Sequence, residues 1–229
     1  MSGIRHSRVI WQVSKWLMLL WTKPWLRLRF EGREFVPRSG PVLIVANHAS
    51  YLDPLLMGMA APGFVAFLAQ SGLARFAPLR WWLQQVGVSL IDRKAPSKEV
   101  LRQLQGALEA GGCVGMFPEG TRSRDGAVAP FRSGLEFLVR RTQATVVPMG
   151  IDGSARAFPR GALLPRPRKC VVRLGAPWLA TRLLEPGGVE ALRREVATLA
   201  RAPIGAGSKV GNGPGVLPAD PSSSADTRA

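Results

Sequence analysis

The chain has 229 residues, 46% of them hydrophobic, with seven Trp, two His and two Cys, and its 31 Lys and Arg against 15 Asp and Glu leave a formal charge of +16. That length suits one domain with a core of its own, and the apolar content excludes a wholly disordered chain. Cys113 and Cys170 are too far apart for a CxxC pair and have no neighbouring His, which argues against a disulfide-stapled module and leaves a zinc site without visible ligands. The positive excess requires an anionic partner, either nucleic acid or the phosphate-rich face of a membrane.

The first element is read over residues 9–21, VIWQVSKWLMLLW, nearly all apolar apart from a narrow stripe holding Gln12 and Lys15. Thr22, Lys23 and Pro24 end the run. At 1.5 Å per residue a helix of that length reaches about 20 Å, short of the roughly 30 Å hydrocarbon layer, so a transmembrane crossing is disfavoured. A cleaved signal peptide fits no better, because no small-residue cleavage site follows and Trp16, Trp21 and Trp25 stand among Lys and Arg as interfacial residues do. The segment is expected to lie in the headgroup region of a membrane, with Arg5, Arg8, Lys15, Lys23, Arg27, Arg29 and Arg33 toward lipid phosphates. Packing on the domain's own core is the alternative. Residues 1–34 are assigned to this membrane-interface helix and its basic linker.

Residues 35–202 are assigned to the main domain, in which apolar runs alternate with helical patterns. PVLIVAN (41–47), FVAFLA (64–69), VGVSLI (86–91), CVGMF (113–117), ATVVPMGI (144–151) and CVVRL (170–174) have the length and branched-residue content of strands. Ser97 caps an expected helix whose Val100, Leu101, Leu104, Ala107 and Leu108 share a face and which stops at Gly111 and Gly112. Leu135, Leu138 and Val139 mark a second helix; Val189, Leu192, Val196 and Leu199 mark a third. Strands apolar on both faces, alternating with helices, predict an α/β fold with a mostly parallel central sheet flanked by helices. Sites in such folds lie where loops leave the carboxyl ends of strands. A second basic cluster, Arg156, Arg160, Arg166, Arg168 and Lys169, is interleaved with Phe158, Leu163 and Leu164. From residue 203 the composition turns to Pro, Gly, Ser and Ala, and Lys209 and Arg228 cancel Asp220 and Asp226. Residues 203–229 therefore read as a disordered tail that adds no net charge.

Three strand-end loops carry residues suited to chemistry. After 41–47 comes His48, the one histidine besides His6, and an imidazole is the side chain in that loop suited to accept a proton near neutrality. Asp53 can hold the imidazole in one tautomer and favour the imidazolium. The bland reading is a His bonded to nearby backbone and an Asp-Pro helix start, Asp as N-cap and Pro at N1. After 113–117 comes Phe117-Pro118-Glu119-Gly120-Thr121-Arg122-Ser123-Arg124. Gly120 permits close backbone approach, Thr121 and Ser123 supply hydroxyls, and Arg122 offers a donor fork matched to a phosphate. Glu119 is suited to accept from a substrate hydroxyl or to fix an arginine; taken alone, the loop is a polar surface turn. Ser89-Leu90-Ile91-Asp92-Arg93 ends a third strand and, in isolation, is a solvated ion pair.

Together NHASYLD (47–53), GVSLIDR (87–93), FPEGTRSR (117–124) and VVPMGI (146–151), in this order and with these gaps, resemble the four motif blocks of the glycerolipid acyltransferases. The resemblance is nearest to the bacterial 1-acylglycerol-3-phosphate acyltransferases and covers about residues 35–175. Two positions depart from the family pattern: Leu90, where an aromatic is usual, and Arg132 in Phe131-Arg132-Ser133-Gly134, where a Lys is usual. The resemblance implies that His48, oriented by Asp53, takes the proton of an acceptor hydroxyl so that its oxygen attacks an acyl thioester. It implies that Arg93, Glu119, Gly120, Thr121 and Arg122 hold the phosphorylated acceptor. No acyl-enzyme is required, and Cys113, inside a strand, is read as core. No cofactor is implied beyond the donor substrate, acyl-CoA or acyl carrier protein loaded with the acyl chain (acyl-ACP). The expected partners are membrane lipids, that donor and a lysophospholipid, met at the cytoplasmic face of the inner membrane, with phosphatidic acid as product. A lyso-ornithine lipid or another lysolipid is the alternative acceptor. The chain carries no helix-turn-helix, zinc-finger or aromatic RNA-binding signature, and its aromatics gather in the N-terminal helix, which counts against nucleic acid.

Overall fold

The computed structural model describes residues 8–70, 81, 88–91, 97–162 and 164–205. Seven strands are β1 (Arg29–Glu31), β2 (Val42–Ala46), β3 (Val65–Gln70), β4 (Val88–Ile91), β5 (Cys113–Met116), β6 (Thr145–Asp152) and β7 (Val171–Leu174). They form one sheet in the order β1-β7-β6-β2-β5-β3-β4. Every neighbouring pair is parallel except β6 with β7, so β7 and β1 run against the other five strands. The expected α/β architecture with a mostly parallel sheet is the one observed, and six strands fall within two residues of their expected bounds. β1 has no signature in the sequence, because its three residues, Arg-Phe-Glu, offer no apolar run.

The helices are α1 (Arg8–Trp25), α2 (Asp53–Ala60), α3 (Ser97–Glu109), α4 (Gly134–Thr142), α5 (Ser154–Ala157), α6 (Ala180–Leu184) and α7 (Gly188–Ala200). β2 lies in the middle of the sheet with all five residues buried. Its period of two sends Val42, Ile44 and Ala46 into one core with Leu56, Met57 and Met149, and Leu43 and Val45 into the other with Leu108, Leu138 and Leu192. A strand covered on both faces has no polar side to show, which is why it reads as an unbroken apolar run. On α3, Leu104 and Leu108 are buried as expected, and Gly111 ends the helix region with φ +75°.

The structure moves three boundaries. Leu26 and Leu28 are fully or almost fully buried and β1 pairs with β7, so the expected basic linker belongs to the domain. The tail does not separate at 203: Ile204 bridges Val128 in parallel, with Val128 N donating to Pro203 O at 2.9 Å. The helix expected over 9–21 runs from Arg8 to Trp25, with Pro24 accommodated in its last turn.

α1 is amphipathic in the inverse sense. Met18 and Leu19 pack on the core, Thr22 is buried, and Lys15 Nζ donates to Ala61 O at 2.5 Å. Burial and the nearby Arg33 charge lower the Lys15 ammonium pKa to about 8. On the opposite face Val9, Val13, Trp16, Leu17, Leu20 and Trp21 are 53–77% exposed. The expected polar stripe at Lys15 thus faces the protein, because the Ala61 carbonyl, just past α2, gives the ammonium a partner. Among the described residues no helix is long and apolar enough to cross a membrane.

Candidate active site

β6, β2 and β5 are parallel neighbours, so their carboxyl ends lie side by side and the loops that leave them meet. Asn47, just past β2, ties two of these ends together: its Nδ2 donates to Ile151 O at 3.1 Å and its Oδ1 accepts from Ile151 N at 2.8 Å. The side-chain amide continues the β2–β6 pairing after β2 has left the sheet. Ser50, fully buried, anchors the next turn by donating from Oγ to Phe158 O at 3.0 Å and accepting from Leu52 N at 3.2 Å.

Asp53 is the first residue of α2, with Leu52 at the N-cap position. Its carboxylate reaches back over the loop and does not cap the helix. Oδ2 accepts from Ala49 N and Ser50 N, both at 2.6 Å, and from His48 Nδ1 at 2.9 Å. The Asp53 side chain is 0% exposed and that of His48 19%, so the pair is shielded on the carboxylate side and open on the imidazole side. The N-terminal turn of α2 adds partial positive charge beside the carboxylate. An ionised carboxylate only accepts, so Nδ1 carries the proton and the lone pair is left on Nε2, which has no hydrogen-bond partner among the described residues.

The imidazole is fixed on its other sides as well. Its ring stacks on Phe117, centroids 4.3 Å apart and planes 24° from parallel. His48 N donates to Glu119 Oε1 at 2.8 Å, and Ser123 N donates to His48 O at 2.7 Å. Glu119 is buried, and its second oxygen accepts from Ala129 N at 2.9 Å. Burial pushes its carboxyl pKa above the usual range, while the two backbone donors pull it back.

Around this centre lies basic side-chain chemistry. Gly120 has φ +72°, and a Cβ there would come within 2.6 Å of Arg132 Nε, so the glycine lets the Arg132 side chain lie across the turn. The Arg122 guanidinium sits 3.5 Å from the Tyr51 ring centroid, and Arg160 Nη2 donates to Arg122 O. Tyr51 in turn neighbours Phe158, with centroids 6.3 Å apart.

The sequence model of the Acyltransferase family matches residues 27–152, more than half of the chain, a span that includes His48, Asp53 and the 117–124 loop. The chain belongs to the Acyltransferase family. It is 34% identical over 187 residues to the 1-acyl-sn-glycerol-3-phosphate acyltransferase alpha of Homo sapiens, a match covering 79% of this chain and 65% of that one. It is 31% identical over 142 residues to the chloroplastic 1-acyl-sn-glycerol-3-phosphate acyltransferase of Arabidopsis thaliana, covering 61% of this chain and 40% of the relative. Among solved structures it resembles the 1-acyl-sn-glycerophosphate acyltransferase PlsC of Thermotoga maritima, with a TM-score of 0.69, 25% identity, and 84% of this chain and 77% of that one covered. The match thus spans from about two fifths to two thirds of the length of the two curated relatives named.

Within this acyltransferase fold, the residues expected to act together divide. His48 and Asp53 meet, and Gly120 and Arg122 border the same loops, while Thr121 is exposed beside them. Arg93 lies outside the described residues. Glu119, expected to accept from a substrate hydroxyl or to fix an arginine, has both oxygens on backbone amides and works as a clamp between the 48 and 129 peptides. Asn47, Phe117 and Ser50 stand inside the quoted motifs, but their duties depend on partners 104 and 108 residues away for Asn47 and Ser50 and on ring geometry for Phe117. Arg160 carries no sequence signal for its place, since its partner is 38 residues distant. Cys113 is half-buried, and burial pushes its thiol up to about 12, which keeps it protonated and inert.

Proposed function

We propose that this chain transfers a fatty acyl group from a thioester, acyl-CoA or acyl-ACP, to the free hydroxyl of 1-acyl-sn-glycerol-3-phosphate, giving phosphatidic acid. The observation that carries this reading is the His48 imidazole, donating from Nδ1 to Asp53 and with no partner for Nε2 among the described residues, beside the Arg122 loop. Nε2 takes the proton of the acceptor hydroxyl as its oxygen attacks the thioester carbonyl. The tetrahedral intermediate collapses, and the departing thiolate takes the proton back from the imidazolium, which Asp53 stabilises in the interval. The donor is a substrate and leaves as free thiol. The names of the relatives support the choice of acceptor. Transfer of labelled acyl-CoA to a panel of lysolipids by purified protein tests it, and exclusive use of a phosphate-free acceptor would overturn it.

Arg122 is assigned to the acceptor phosphate. Its guanidinium is stacked on Tyr51, which orients the donor fork without occupying it in an ion pair. For Arg122→Ala the expected result is a rise in acceptor KM of about tenfold or more with donor KM unchanged, as for loss of one charge-assisted bond. An unchanged acceptor KM removes Arg122 from the phosphate site.

The exposed face of α1 is assigned to the membrane, and the protein to the cytoplasmic face of the inner membrane as a peripheral or monotopic enzyme. Trp25 Nε1 donates to Pro165 O at 3.1 Å, which joins the helix to the basic stretch around residues 155–170, where Leu164 is 77% exposed. Leu20, Trp21, Pro24, Trp25, Arg27 and Pro167 line one depression of about 370 Å³ at this junction. A broad apolar surface rimmed by Arg and Lys is the form that an anionic bilayer surface takes up. Leu17→Glu with Leu20→Glu leaves the inner face of α1 intact and is expected to abolish co-flotation with anionic vesicles while the melting temperature stays unchanged. Retained flotation would overturn the assignment.

A further inference from the structure

The back of the 117–133 loop is held by a group that the proposed reaction does not use. Arg193, on α7, has a side chain only 7% exposed. Its guanidinium grips Val128 O through Nε at 3.2 Å and Nη2 at 2.8 Å, Nη2 also donates to Gly205 O, and Nη1 pairs with Glu190 at 3.1 Å. The chain that follows α7 returns to the same point. Val128 N donates to Pro203 O at 2.9 Å and Gly205 N donates to Val128 O at 3.1 Å. Val128 O therefore receives three donors, two from Arg193 and one from the segment 203–205.

That carbonyl belongs to the same planar peptide group as Ala129 N–H, which donates to Glu119 Oε2 at 2.9 Å. Glu119 Oε1 then holds His48 N at 2.8 Å. Fixing the oxygen of a planar unit fixes the direction of its N–H, and donors crowded on the oxygen polarise the amide into a stronger donor. Glu119 is buried, so desolvation raises its carboxyl pKa, and the bonds from the Ala129 and His48 amides oppose that rise.

We propose that Arg193 and the strap 203–205 are positioning elements for His48, acting through the Val128–Ala129 peptide and Glu119, so that the C-terminal segment is a working part of the active site. This rests on the acyl-transfer reading of His48. Two variants act from different sides: Arg193→Gln removes the guanidinium, and Gly205→Pro removes one N–H donor while leaving α7 intact. Each is expected to lower kcat about tenfold with both substrate KM values within about twofold, as for coupled members of one hydrogen-bond network. Each is also expected to move the His48 amide resonance in an NMR spectrum, a readout that needs no turnover. On a Glu119→Gln background, where the relay is already weakened, either change is expected to cost little more in kcat. Losses that multiply on that background, or a His48 amide unmoved by both variants, overturn the proposal. A wild type that shows no acyl transfer overturns the functional reading and leaves the amide test standing. Should Arg193→Gln fail to fold, Gly205→Pro alone and combined with Glu119→Gln decides.

Discussion

His48→Ala is expected to abolish measurable acyl transfer while the protein stays folded. Loss of a general base costs on the order of 10² to 10⁴ in rate, and in the proposed reaction the same residue also returns the proton to the leaving thiolate. The fold survives because the contacts of His48 that matter structurally are made by its backbone, through Glu119 Oε1 and Ser123 N, and an alanine keeps both. Asp53 Oδ2 likewise retains the amides of Ala49 and Ser50. Labelled acyl-CoA transfer to 1-acylglycerol-3-phosphate, with a thermal melt as control, reads both parts. Near-normal transfer would sink the mechanism.

Asp53→Asn is expected to be damaging in a different way, lowering kcat and stability together. An asparagine must turn its oxygen toward three donors, which leaves its NH2 where Asp53 Oδ1 now sits, fully buried and with no partner among the described atoms. An unsatisfied buried donor costs about 1–3 kcal/mol. Loss of the negative charge also removes the partner of the imidazolium, and an amide in this place costs on the order of 10⁴ in turnover in the comparable triad of serine proteases. Urea unfolding together with single-turnover transfer measures both. A variant with wild-type stability and a kcat within about tenfold of normal would show that Asp53 neither bears three donors nor supports the imidazolium.

The two expectations differ because the two side chains face different surroundings. His48 lies at the open end of β2, partly exposed, so its removal is felt mainly by the reaction. Asp53 lies beneath it, holds the loop and the ring at once, and has no water to replace what is lost. Glu119 belongs with Asp53 in this respect. Its place in the motif reads as substrate contact, yet the fold turns it inward onto two peptides.

Much of this was legible in the chain. The alternation of β2 between two cores follows from its unbroken apolar run, whereas the convergence of the 47–53 and 117–124 loops needs β2 and β5 to be neighbours, an order that only the structure gives. α4 and α7 appear where Leu135, Leu138 and Val139, and then Leu192 and Val196, recur at helical spacing, and these five are buried. β1 was not legible, because a three-residue edge strand with Arg and Glu is held by its pairing to β7 and not by apolar content. The docking of 203–205 was hidden for a similar reason: a Pro-Ile-Gly segment is silent about order until Arg193 and Val128 give its backbone partners.

By itself the sequence determined which groups are able to do the chemistry, since one histidine stands at a strand end with an aspartate five residues on, and which stretches must be buried. Those are local matters of side-chain type and period. Only the tertiary structure decided direction: that Lys15 turns inward and Trp16, Leu17 and Leu20 outward on the same helix, that Glu119 places both oxygens on backbone amides, and that Arg193 stands behind the 117–133 loop. The reason is that a hydrogen-bond partner or a covering surface is supplied by chain far away in sequence. A residue's own neighbours fix what it can do, and the fold fixes what it meets.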